Sequence, residues 1–114
     1  MKPPSERISV HDVKERASVQ ADLHIYCGRG EPKDRSMING RMGNIHWMAS
    51  ESQRDAVCEA FAADMAQSDH PYWPSVRRLT QRLEEGKTIA LYCFCAPRRC
   101  HCDTIRSLAL AGLK

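Results

Sequence analysis

The sequence predicts an α/β domain with a short, mostly parallel sheet. Three observations carry that expectation. The run TIALYCF, 88–94, is nearly continuous in apolar residues and rich in β-branched and aromatic ones, as in a strand buried on both faces. Helical periodicities precede and follow it, so strands alternate with helices. The chain has 114 residues, enough for one core that does not depend on disulfides or metals.

The elements follow in order. Residues 1–7 are polar, contain Pro3-Pro4, and are expected to form a flexible tail ahead of a single domain over 8–114. ISVHDV, 8–13, alternates as an edge strand would, although VKERA beside it could equally open a helix. ADLHIYCG, 21–28, is a clearer strand, with Leu23, Ile25 and Cys27 on one face and Gly28 at its end. Residues 28–50 have neither period. They hold four of the six glycines together with Arg29, Lys33, Arg35 and Arg41. A patternless segment of this length in a compact domain is usually functional or disordered. Ser50–Gln53 fits a capping box, and Val57, Phe61 and Met65 behind it predict a helix over 51–67. Two prolines in SDHPYWP break that helix. Ser75 is placed to cap a second one, with Val76, Leu79 and Leu83 as its stripe and Gly86 as its stop. After the 88–94 strand, APRR turns the chain. A closing helix runs from Asp103, with Ile105, Leu108 and Ala109 as its apolar face, to Gly112.

Composition narrows the functional classes. The net charge of +3 permits an anionic ligand without itself predicting nucleic-acid binding. No apolar run approaches the roughly 20 residues of a membrane span, and MKPPSERISV lacks the apolar core of a signal peptide. The expected location is the cytoplasm, where thiols stay reduced. The six cysteines are therefore read as a site, four of them lying in CFCAPRRCHC, 93–102, rather than as disulfide staples.

In parallel sheets ligands sit beyond the carboxyl ends of the strands. Loop 28–49 and loop 95–102 both lie at such ends, which should bring them together. In the first, Gly28 and Gly30 allow close approach of backbone N–H groups to an anion, and the arginines can add bidentate contacts. The bland alternative is a surface loop that uses glycine for turns. In the second, zinc is one reading, with Cys93, Cys95, Cys100 and His101 as ligands and Cys27 within reach from the next strand. The spacing is tighter than the separated knuckles of structural zinc sites. A second reading takes Cys93 through Arg99 as C-x5-R, the thiolate loop of a phosphatase. That loop has no glycine, and Pro97 removes a donor. Disulfide exchange is a third reading, and plain packing is a fourth, favoured for Cys93 and Cys58. Trp47 and Trp73 are read as packing residues. His11, His24, His46 and His70 have no partner evident from sequence.

Four stretches also resemble a known family. IYCGRG (25–30), Gly43-Asn44, SESQRDAV (50–57) and LYCFCAPRRCH-x-D (91–103) are similar to the domain of unknown function 4326, a family of small bacterial and phage proteins. Its pattern runs from Y-x-G-R through G-N-P to C-x-C-x-P-x-x-C-H-G-D. Cys93, Cys95, Pro97, Cys100, His101 and Asp103 fall in place. Ile45 stands where the pattern has proline, and Cys102 where it has glycine. The resemblance implies a small Rossmann-like layer flanked by helices, handling a nucleotide or related phosphate ligand. It does not call for Arg99. On this reading Gly28, Arg29, Gly30 and Asn44 would cradle phosphate or ribose, with Cys95 and Pro97 beside them. Cys100, His101 and Asp103 would form the floor of the site, with His101 or Asp103 as the acid–base group. No cofactor is expected outside the zinc alternative. Hydrolysis or transfer of the ligand stays open, as does a zinc-stabilised module that contacts protein or nucleic acid.

Overall fold

A computed structural model describes residues 2–114 of the chain. Four parallel strands form one sheet in the order β1-β4-β2-β3. They are β1 (Ile8–Asp12), β2 (Leu23–Tyr26), β3 (Ile38–Asn39) and β4 (Ile89–Cys93). The helices are α1 (Arg54–Met65), α2 (Trp73–Glu84) and α3 (His101–Ala111). This is a mixed α/β architecture with an all-parallel sheet, as expected.

The last strand in sequence is central in space. β4 pairs with β1 through Ile8↔Ile89 and with β2 through Leu23↔Ile89. All five of its residues are buried, which is why that segment reads as continuously apolar. Its side chains alternate between two cores. Ile89, Leu91 and Cys93 join Ile25 and Cys27 beneath Phe61 and Met65 of α1, Leu79 and Leu83 of α2, and Ile105 of α3. Ala90 and Tyr92 face the other way, with Tyr26 and Met37, under Val13, Val19 and Ala21. The three α-helices thus contribute to one core, and a 3-10 segment over Val13–Ser18 helps to cover the other. Each fully buried large apolar side chain contributes roughly 1.5–3 kcal/mol.

Several expectations are corrected. Residues 8–18 realise both readings in turn, a strand and then a 3-10 helix whose start is boxed by Asp12 and Glu15. In the expected tail, Pro4–Glu6 form a 3-10 turn and Arg7 is buried, its guanidinium donating to the carbonyls of Lys2, Leu83 and Lys87. Met1 lies outside the described residues. The patternless segment contains β3, paired with β2 through Ile25↔Ile38 and too short to show a period. The Ser50–Gln53 capping box is not made. The Gln53 side chain accepts from Ala49 N instead, and the α-helix begins after a 3-10 turn. α2 begins at Trp73, with Ser75 inside its first turn. α3 begins at His101, not Asp103. No described helix is long and apolar enough to cross a membrane.

Candidate functional site

The parallel sheet brings the ends of β2 and β4 side by side, with Cys27 N, just past β2, donating to Tyr92 O of β4 at 2.9 Å. A cleft of about 400 Å³ opens there. Loop 28–48, the α1 face with Arg54, Val57 and Cys58, and residues 93–95 and 100–101 enclose it. A smaller cleft of about 290 Å³ beside β3 offers only Arg78 and Arg82 as charged groups. Of these two, the 400 Å³ cleft gathers thiol, imidazole and guanidinium groups.

Glycine shapes the first wall. The Tyr26 phenol folds back over position 28 and donates to Arg29 O at 2.9 Å, so a Cβ at Gly28 would collide with it. Gly43 lies against the same backbone, where a Cβ would stand 3.1 Å from both Gly28 O and Arg29 Cα. The next residue locks the loop. Asn44 is buried, donates from Nδ2 to Val57 O at 3.0 Å, and accepts His46 N–H on Oδ1 at 2.9 Å. Arg29 donates from Nε to Asn44 O at 2.5 Å and from Nη2 to His46 O at 2.9 Å. Its guanidinium also stacks 3.7 Å from the centre of the Trp47 ring. Two of the four residues expected to cradle phosphate or ribose, Arg29 and Asn44, are therefore engaged in holding the loop, although Nη1 of Arg29 takes no part in those two bonds.

Two rim residues differ from expectation. Trp47 does not pack inside; it is 77% exposed, and Phe94 on the facing loop is 61% exposed. His46 does have a partner, since its Nε2 lies 2.6 Å from Asp64 Oδ2 of α1. That pairing fixes the ring and makes His46 the only cleft histidine held by a carboxylate among the described residues.

The second wall is sulfur. Cys93 Sγ and Cys100 Sγ lie 3.0 Å apart, and the sulfur of Cys102 is within 4.8 Å of both. All three are buried. Hydrogen bonds from Cys100 and then Cys102 push the Cys93 thiol well down, which makes it the favoured thiolate of the trio. Cys100 moves up overall: its bond with Cys102 lowers it, but its bond to Cys93 and burial raise it more. Cys102 is raised by its bonds to Cys100, Cys27 and Cys93 and by burial. The zinc set read from sequence is not assembled as such. Cys95 is only half-buried and stands beside Arg54, and His101 is committed elsewhere.

His101 Nε2 is 2.6 Å from Cys27 O and its ring packs edge-on to Phe61. Burial lowers its pKa, so it stays neutral at pH 7 and donates to that carbonyl. It lines the cleft as a tie between α3 and β2. Asp103 is exposed and accepts Cys100 N–H at 3.1 Å as a helix cap, outside the cleft lining. Gly30 and Pro97 are exposed and also outside it. Arg99 pairs with Asp55 of α1 at 3.0 Å, and more loosely with Glu59, rather than lining the cleft with Cys93. The structure thus brings Gly28, Arg29, Asn44, Cys95, Cys100 and His101 to one cleft, and leaves Gly30, Pro97 and Asp103 outside.

Fold and site together define a small parallel α/β protein with a mixed aromatic, basic and thiol cleft at the carboxyl ends of its central strands. The chain belongs to the family described as domain of unknown function (DUF4326), whose match spans residues 10–111. No curated protein and no solved structure matches it.

Proposed function

We propose that this cleft binds a nucleotide or a nucleotide-derived phosphate ligand. The observation that carries the reading is the exposure of Trp47 and Phe94 on two facing loops above a cleft with Arg29 and Arg54 in its wall. A flat heteroaromatic base can stack on such rings, worth roughly 1–3 kcal/mol per base. Arg29 Nη1 and the backbone at Gly28 and Arg29, both in the cleft lining, suit a phosphate. For hydrolysis or transfer of the ligand, the acid–base group is His46, because Asp64 orients its ring at the cleft edge. His101 is too buried for that role, and Asp103 serves as a cap.

Calorimetry with a panel of nucleoside mono-, di- and triphosphates and dinucleotides tests this. At least one member should bind, and Trp47→Ala should weaken it about tenfold, the lower end of a stacking loss. Trp47 is exposed, so its removal leaves the fold intact. A panel with no binder, or a Trp47→Ala variant that binds as tightly as the unaltered chain, removes the proposal.

A further inference from the structure

We infer that Cys93, Cys100 and Cys102 form a three-thiolate site for a thiophilic cation of the zinc class, with one coordination position turned towards the cleft. The site stands on geometry independent of the nucleotide reading. Three ligand atoms from two elements converge within 4.8 Å, Cys93 from the end of β4 and the other two from the start of α3. Three sulfurs around one ion at the usual Zn–S length stand about 3.8 Å apart, so that spread already suits a metal. The Cys93–Cys100 pair, at 3.0 Å, would open by about 0.8 Å on binding.

The surroundings suit an anionic metal–thiolate centre. A divalent ion with three thiolates carries one net negative charge, and the N-terminus of α3 offsets it. Binding releases a proton from each ligand cysteine that is still a thiol, as its sulfur becomes a thiolate ligand. Cys93 and Cys100 line the cleft while Cys102 is wholly buried behind them. The coordination position left open therefore faces the cleft, the arrangement of sites that take water or a substrate atom as last ligand.

The experiment uses the reduced full chain, titrated with zinc and, as a coloured substitute, with cobalt(II). About one ion per chain should bind, with an intense sulfur-to-cobalt charge-transfer band and about three sulfurs by X-ray absorption. Cys102→Ser should weaken binding about tenfold or more, whereas Cys58→Ser and Cys95→Ser leave it unchanged. Circular dichroism of each metal-free variant checks that it folds. If Cys102→Ser does not fold, the sulfur count on the unaltered chain decides. No uptake by the reduced chain overturns the inference. So does a sulfur count of two or fewer, or a Cys95→Ser loss equal to that of Cys102→Ser.

Discussion

At the residue scale, Asn44 shows how a buried amide builds the cleft. Its donor end holds the Val57 carbonyl and its acceptor end holds the His46 N–H. Asn44→Ala removes both bonds and leaves that N–H short of a partner, a cost of about 1–3 kcal/mol. Urea denaturation should show the loss, and Asn44→Asp, which keeps the acceptor, should recover part of it. The sequence pointed to Asn44 and Arg29, but not to the bonds by which they hold the loop. A glycine-rich loop with an arginine reads the same whether the guanidinium meets a ligand or the loop's own carbonyls, because spacing does not encode direction. His46 was illegible for another reason. Its partner Asp64 lies 18 residues away on α1, off the apolar stripe from which the helix is recognised. Cys102 stood out only as a departure from a motif, and its burial against Cys93 and Cys100 comes from α3 starting earlier than the periodicity suggested.

At the scale of elements, the long periodic segments were legible and the short ones were not. β4 announces itself because burial on both faces demands apolar residues at every position. β3 cannot, since two residues have no period. Helix starts were displaced because the N-terminal turns here are held by contacts outside the simplest side-chain caps. The cross-strand pair His24–Tyr92 offers a test that no pattern suggests. His24 Nδ1 lies 2.7 Å from Tyr92 Oη, and its ring stacks on the same tyrosine. Burial first, and then Arg16, lowers the His24 pKa from its ordinary 6.5. The unfolded chain therefore binds the extra proton more readily below pH 6.5, so this contribution to stability is complete above that value and declines as pH falls. His24→Gln retains a hydrogen-bonding group and does not titrate. Urea midpoints of the unaltered chain should fall more between pH 7 and pH 5 than those of His24→Gln, and equal slopes would contradict the assignment.

At the scale of the whole molecule, the parallel sheet places the candidate cleft at one end and a set of arginine ties at the other. The cleft and the three thiols sit at the carboxyl ends of β2 and β4. The amino ends are closed by arginines. Arg7 lies just before β1 and donates to Leu83 O at 2.8 Å and Lys87 O at 3.1 Å, so it ties the first segment to the end of α2 and the approach to β4. Arg106 of α3 donates to Ile8 O at 2.8 Å and also to Ser5 O, a second tie to the same segment. Charged donors fit the carbonyl end of a helix, where the backbone presents partial negative charge. Arg7→Ala should therefore cost roughly 2 kcal/mol, within the range for hydrogen bonds from a charged group. Truncation of residues 1–7 should cost at least as much, because it removes the Ser5 acceptor as well. Ligand and metal affinities should stay as they were wherever both variants are folded, since the lost contacts lie across the sheet from the cleft. Thermal melts and titrations on the same samples separate the two effects. A loss of affinity without a loss of stability would mean that the two ends of the sheet are coupled, against the division the topology implies.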